Sequence, residues 1–281
     1  MAPFNEQLEI FTHCATESEV LVEMCDMSQG RIRAFQGQLR GPHCERAHTL
    51  PTTFQASHRE PLLVIDPCYW TPQLPMLYDV QLALELADGS TAEWKHTVGL
   101  RRWEIDGRNL LRERKRIVLR AAVTTNFRAE DLSAAVAAEV ALVVCDPSEA
   151  FLQWASELGV PLVVDLRGEE GNLSPKLLSY AWQPAIELVL LDKGVPNKPH
   201  AVKLGHVIQP ACVFAEAPWA DVIVIELSET ERPPAWAATC DKPVIAIRSQ
   251  GAYAELSQAR HGCDRLQAEL APQFDLAGYF V

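Results

Sequence analysis

Eight apolar runs of strand length in the second half of the chain constrain its fold more than any other feature. They are "IVLRAAV" (117–123), "ALVVCD" (141–146), "PLVVDLR" (161–167), "IELVLLD" (186–192), "VKLGHVI" (202–208), "DVIVIEL" (221–227), "PVIAIRS" (243–249) and "LAGYFV" (276–281). Continuous apolar, largely β-branched runs are the mark of parallel strands buried on both faces. Helical periodicity fills several of the gaps. "RAEDLSAAVAAEV" and "SEAFLQWASELGV" put apolar residues at three- and four-residue spacing, and the second stops at Gly159 before Pro161 opens the next strand. "AYAELSQARHGCDRLQAELAP" has the length for one helix or two. Strand–helix alternation of this kind implies a (β/α)8 TIM-type barrel over residues 117–281.

That barrel is a reduced one, since the architecture usually takes about 200 residues or more. "KGVPNKPHA" carries Pro196 and Pro199 and cannot hold a regular helix. No helix follows the last strand within the sequence, which ends at Val281. Part of the outer wall is therefore expected to lie bare. Homo-oligomerisation through it is the matching expectation, because large exposed apolar patches mark interfaces.

Residues 1–103 follow a different grammar. "QLEIFTHCA", "EVLVEMCDM", "RIRAFQGQL", "TTFQASH", "PLLVID" and "LYDVQLALEL" are short segments separated by Gly, Pro, Asp and Ser turns. Asp88-Gly89 in "ADGS" is a hairpin signal. Strands so spaced, without helical pattern, suggest an immunoglobulin-like β-sandwich of about 100 residues. Residues 104–116 read as a junction hairpin within "RRWEIDGRNLLRERKRIVLR", whose basic residues are interleaved with acids and are expected to be solvated and ion-paired.

Composition narrows the partners. A net charge of −12 argues against a nucleic-acid partner, because phosphate binding wants clustered Lys and Arg. Hydrophobic residues at 48% and charged residues at 22% suit a soluble globular protein. No stretch reaches the ~18 apolar residues of a membrane span, so no membrane partner is expected. "MAPFNEQLEIF" shows neither a basic region nor an apolar core of a signal peptide, and a cytoplasmic setting is the simplest expectation; a leader trimmed before Met1 would leave the same sequence. The eight cysteines contain no C-x-x-C pair and are expected to be free thiols, buried where they sit in "ALVVCD" and "ACVF". The histidines form no H-x-x-x-H or H-E-x-x-H pattern, and the glycines no G-x-G-x-x-G or Walker sequence. No metal and no cofactor is therefore expected. Cys145, at a strand end, would need a paired base to act as a nucleophile and reads as an inert thiol.

The order of motifs across the junction resembles glycoside hydrolase family 2, which includes bacterial β-galactosidases, β-glucuronidases and β-mannosidases. Trp70, Pro72, Pro75, Leu77 and Tyr78 in "DPCYWTPQLPMLYDVQLAL" match the phrase "LWSP…P.LY" that ends the family's sandwich. Gly99 and Arg101 match its "G.R" strand, and Leu119-Arg120 its barrel entry. "DPSEAFLQWASELGVPLVVD", "QPAIELVLLDKG", "KPVIAIRSQGA" and "LAGYFV" then stand in order where the family has its second helix and third, fourth, seventh and eighth strands. The likeness runs over about residues 60–281, and the family's amino-terminal sugar-binding domain has no counterpart in the sequence.

The departures fall on the chemistry. Retaining glycosidases need two carboxyl groups about 5–5.5 Å apart, one a nucleophile and the other an acid/base. The resemblance places them at the ends of the fourth and seventh strands, where this chain has Lys193-Gly194 and Ser249. The family's entry after the first strand reads Thr124-Thr125-Asn126-Phe127, and its acidic pair after the third strand keeps Asp165 but has Leu166 next. Serine cannot capture an oxocarbenium-like centre as a carboxylate does, and glycine delivers no proton. The resemblance therefore implies a glycosidase fold without its catalysts, acting as a binding or structural/interaction protein.

Two alternatives stand beside that reading. An active glycoside hydrolase could use a relocated pair from Asp146, Asp165, Asp192, Glu169, Glu170, Glu226 and Glu229. A non-catalytic carbohydrate-binding protein could keep the cleft alone. For either, Asp146, Asp165, Asp192, Glu226, Arg248 and Ser249 are the candidate ligand-binding residues, because each lies at an expected carboxyl end of a strand, where barrel sites are built. A filled mouth would instead pair Arg248 with Asp192 or Glu226. Trp70 and Tyr78 are expected to pack in the sandwich, while Trp182, Trp219 and Trp236 are the candidates for an exposed sugar platform.

Overall fold

The computed structural model describes residues 8–27, 30–123, 127–196, 198–211, 217–248, 253 and 255–281. Strands β1 (Leu8–His13), β2 (Glu19–Asp26), β3 (Ile32–His43), β4 (Thr52–Ser57), β5 (Leu62–Ile65), β6 (Leu77–Leu86) and β7 (Thr91–Val98) come first. They form two antiparallel sheets, ordered β1-β2-β5 and β4-β3-β6-β7. Strand β6 shows why they pack. Tyr78, Val80, Leu82 and Leu84 are buried while Asp79, Gln81, Ala83 and Glu85 are exposed, the period-two alternation of a sheet with one dry face. The β6–β7 hairpin turns at Asp88-Gly89 as expected. Gly89 takes a φ of 83°, and Asp88 Oδ1 accepts hydrogen bonds from the Ser90 amide and hydroxyl at 2.9 and 2.6 Å.

A small antiparallel sheet follows, built from β8 (Trp103–Asp106), β9 (Asn109–Arg112) and β10 (Lys115–Ile117). The remaining strands are β11 (Leu119–Val123), β12 (Ala141–Val144), β13 (Leu162–Asp165), β14 (Ile186–Leu191), β15 (Leu204–Ile208), β16 (Val222–Glu226), β17 (Val244–Ile247) and β18 (Gly278–Phe280). Each pairs in parallel with its neighbours, and β18 pairs with β11 to close an eight-stranded barrel. All eight apolar runs form strands. Helices α1 (Ala129–Ala138), α2 (Glu149–Leu158), α3 (Ser174–Ala181) and α4 (Leu256–Leu270) intervene. Ser148 caps α2 by accepting from the Phe151 amide, and Gly159 ends it at a φ of 72°. The long segment before the last strand forms the single helix α4, and no helix stands between β14 and β15 among the described residues.

The chain divides into two compact units. One contains the sandwich up to Arg102 together with residues 171–184 and 196–202, so α3 and the proline-rich segment belong to it. Trp182 joins the sandwich core, its ring 4.1 Å from that of His96. Glu9, fully buried, accepts from the Ala201 amide at 3.0 Å, and Arg101 donates to the Ala201 carbonyl at 3.0 Å. Gly99 has no room for a side chain, since a Cβ there would lie 2.5 Å from Pro184 and 2.9 Å from the Cβ of Trp70. Trp70 and Tyr78 are buried, as packing residues should be.

The other unit holds the small sheet and the barrel. Leu119, Ala121, Ala141, Val143, Val163, Leu188, Leu190, Val222, Val224, Ile245, Ile247 and Phe280 share one core with Leu110 of β9. The barrel is thus filled by alternate side chains of its strands and is no pore. The basic junction is ion-paired as expected, exposed over residues 113–116 and partly buried at Arg112. Arg112 donates to Glu187 Oε1 at 2.6 Å, and the Glu187 side chain is only 2% exposed.

Candidate functional site

The side-chain alternation that fills the barrel also decides what reaches its carboxyl-end mouth. Val163 faces inward, so Asp165 does too, and by the same parity Cys145, Asp192 and Glu226 follow Val143, Leu190 and Val224. Beyond β13 the chain turns sharply through Leu166-Arg167-Gly168, with Gly168 at a φ of 74°. The Arg167 amide donates to Asp165 Oδ1 at 3.0 Å and the Gly168 amide to Asp192 Oδ2 at 2.7 Å. This turn brings the Arg167 side chain back over the mouth.

There Arg167 joins two carboxylates from different strands. Its Nε and Nη2 donate to Asp165 Oδ1 and Oδ2 at 2.9 and 2.7 Å, a bidentate pair, and its Nη1 donates to Glu226 Oε2 at 3.4 Å. Gln209, just past β15, donates to the same Glu226 oxygen at 2.9 Å. The hydrogen bonds to Asp165 push the Arg167 pKa above its ordinary value against the opposing effect of burial. One guanidinium thus links carboxylates at the ends of two strands, Asp165 of β13 and Glu226 of β16.

The sequence-derived candidates therefore separate. Asp165, Asp192 and Glu226 come together around the Arg167 turn. Asp146 stands exposed beyond β12 at a φ of 45°. Arg248 does not pair with Asp192 or Glu226. It follows the inward Ile247 and so points outward, where it is 3% exposed and bonded to Glu269 of α4 at 2.6 Å and to the Glu231 carbonyl at 2.7 Å. Ser249 lies outside the described residues. Arg167 and Gln209 are the site residues that the sequence reading missed, and strand parity was the signal that could have found Arg167.

The fourth-strand position is equally informative. A Cβ on Gly194 would lie 2.8 Å from Cδ1 and Cγ of Trp219. The Trp219 ring also packs edge-on against His206 at 5.1 Å. Trp219 is thus partly buried, and Trp182 is fully in the sandwich core, so neither is a free sugar platform. Cys145 is exposed rather than buried. Desolvation, and then the nearby Asp165 charge, still raise its pKa, which makes it a poor nucleophile. All seven described cysteines are free. Among the described residues no cluster of three or more His, Cys, Asp or Glu is arranged to hold a metal ion, and no helix is long and apolar enough to cross a membrane.

No protein-family model matches the chain, and no curated protein matches it by sequence. Solved structures do. A β-D-glucuronidase from Dictyoglomus thermophilum aligns over 98% of this chain and 61% of its own, at 13% identity and a TM-score of 0.64. A β-glucuronidase from Ruminococcus gnavus aligns over 98% and 60%, at 10% identity and a TM-score of 0.69. The fold is that of the family 2 glycosidases. A glycosyl hydrolase family 2 member from Bacteroides cellulosilyticus gives the same result, at 14% identity and a TM-score of 0.65 over 98% of this chain and 43% of its own. The chain spans about three fifths of the length of the two β-glucuronidases. The likeness is one of fold, and the chemistry of this chain rests on its own residues.

Proposed function

We propose that this chain does not hydrolyse glycosides and uses a family 2 glycosidase fold as a binding or interaction protein. The observation that carries this reading is Trp219. The resemblance puts the family's fourth-strand Asn-Glu at about Lys193-Gly194, and a Cβ on Gly194 would lie 2.8 Å from Cδ1 and Cγ of the Trp219 indole, too close to fit unless the ring moved. On this reading the acid/base position carries no side chain, and close packing against Trp219 disfavours one there. The Arg167 bridge supports the same reading, because Asp165 gives both oxygens to one guanidinium and Glu226 one of its oxygens to the same group. A relocated pair that used Asp165 would have to draw it away from Arg167, which holds both of its oxygens.

A panel of chromogenic β-glucuronides, β-galactosides and β-mannosides tests the proposal. No turnover above that of the Asp165→Asn, Glu226→Gln double variant is expected. Turnover that this variant abolishes would establish an active enzyme with a relocated pair. Titration with D-glucuronic acid, present in one of the Ruminococcus gnavus structures, separates the remaining roles. Saturable binding without turnover indicates a carbohydrate-binding protein, and no binding an interaction role.

A further inference from the structure

The outer face of the β1-β2-β5 sheet brings a thiol, an imidazole and a carboxylate into line. Leu8, Ile10, Val20 and Val22 belong to the sandwich core, so Phe11, His13, Glu23 and Cys25 project from the opposite face. In the antiparallel register His13 stands opposite Leu21 and Phe11 opposite Glu23, which makes His13 and Glu23 diagonal neighbours. His13 Nε2 is shielded from solvent and lies 3.2 Å from Glu23 Oε2, close enough for an ion pair. On the other side of the ring, Nδ1 lies 3.7 Å from Sγ of Cys14, an exposed free thiol. Phe11 flanks the same ring, with centroids 5.9 Å apart.

The turn after β1 holds the thiol in place. Thr16 Oγ1 accepts from the Ser18 and Glu19 amides at 3.3 and 3.0 Å, and the Tyr69 hydroxyl donates to the Thr16 carbonyl at 2.6 Å. Cys14 enters this turn at a φ of 52°, a left-handed conformation that glycine adopts more cheaply. The other oxygen of Glu23, Oε1, accepts from Cys25 Sγ at 3.6 Å. Burial, and then the Glu23 charge, push the Cys25 thiol up to about 11, so it stays protonated at neutral pH and acts as a donor. Two cysteines thus share one cluster and differ in partner, a carboxylate for Cys25 and an imidazole for Cys14.

A carboxylate beside Nε2 favours the tautomer with its proton on that nitrogen, which turns the Nδ1 lone pair toward the thiol. We propose that Cys14 is a thiol–disulfide exchange site for small disulfides, with His13 as its base and Glu23 as the residue that positions the imidazole. In the exchange Cys14 Sγ attacks one sulfur of the disulfide, and its proton passes to His13 Nδ1. The disulfide bond breaks as the bond to Cys14 forms, and the departing sulfur takes the proton from His13 and leaves as a free thiol. The product is a mixed disulfide on the sandwich, which excess thiol reverses. The site lies in the sandwich unit and does not depend on the reading of the barrel mouth. Glycoside turnover would overturn that reading and leave this one standing.

The test treats the reduced full chain with 2-hydroxyethyl disulfide at neutral pH. Peptide masses after cleavage at glutamate, which separates Cys14 from Cys25, give the capping rate of each thiol. Cys14 should be capped about tenfold faster than Cys145, the other exposed thiol among the described residues. His13→Gln should slow Cys14 at least about tenfold, as loss of a base does, and leave the Cys145 rate unchanged. Glu23→Gln keeps the shape and removes the charge, and should slow Cys14 about two- to fivefold. Glu23→Asp keeps the charge and should retain more of the rate than Glu23→Gln. Cys14→Gly should remove the fast phase without lowering the melting temperature. Capping of Cys14 no faster than that of Cys145, an unchanged rate in His13→Gln, or equal losses in Glu23→Gln and Glu23→Asp would each overturn the proposal.

Discussion

At position 194 the missing side chain is a packing requirement as well as a lost catalyst. A Cβ would come within 2.8 Å of the Trp219 ring, so Gly194→Ala is expected to destabilise the barrel unit by about 1–3 kcal/mol, the usual range for overpacking. Trp219→Ala should remove that clash. Denaturant unfolding of both single variants and the double would then show a clear departure from additivity, whereas additive losses would mean that the two residues do not meet. A second residue-scale prediction concerns His96, whose ring lies 4.3 Å from Trp94 and 4.1 Å from Trp182. Burial depresses its pKa from 6.5 to about 4. The unfolded chain therefore binds the proton more readily, and His96 contributes stability that is full above pH 6.5 and lost as pH falls through about 4. Melting temperature should drop over that window, and His96→Phe should flatten this part of the profile; an unchanged slope would place the acid sensitivity elsewhere. Residue identity alone did not show which arginine guards the mouth. Arg248 looked apt because it ends a strand, yet Ile245 and Ile247 face inward and turn it outward. Arg167 was legible only through the parity of Val163 and Asp165, and its return over the rim needed the Gly168 turn.

At the scale of elements, the strands were legible because burial on both faces leaves unbroken apolar runs such as "ALVV" of β12 and "VIAI" of β17, buried at every position. Helix α3 was not. Its eight residues carry Pro175 in the first turn and follow a Gly-rich loop, and it gains its place from packing against other parts of its unit rather than from periodicity. In the β8–β10 sheet the charges are visible in sequence, whereas the packing of Leu110 and Arg112 is not. Its Arg112 side chain is 16% exposed and holds the nearly inaccessible Glu187 of β14, whose second oxygen has no partner among the described residues. Arg112→Met should cost about 3–5 kcal/mol, because it strands a buried carboxylate. The double variant Arg112→Met, Glu187→Leu should recover most of that loss, since an apolar pair of similar volume is often as stable as a buried ion pair. Equilibrium unfolding in urea measures both. A loss below about 1 kcal/mol in the single variant would show the pair to be solvent-screened like a surface bridge.

At the scale of the molecule, a boundary read along the sequence is not a boundary of folding. Cutting after Arg102 separates the sandwich strands from 171–184 and 196–202, which belong to the same compact unit. Such a fragment loses Trp182 from a core it shares with Tyr78, Trp94 and Leu100. It also loses the Ala201 amide and the His200 ring that bond the fully buried Glu9, and the Ala201 carbonyl that accepts from Arg101. A buried carboxylate without donors and an opened aromatic core are each among the changes that unfold a marginally stable domain. Residues 1–102 expressed alone are therefore expected to melt without a cooperative transition and to bind a hydrophobic dye, while the full chain melts cooperatively. Adding Glu9→Leu should partly rescue the fragment, because it removes the charge that most needs the missing donors, yet the same change in the full chain should be destabilising. A well-dispersed amide spectrum and a sharp melt from the unmodified fragment would show that the two inserted segments are passengers of the sandwich unit rather than parts of its core.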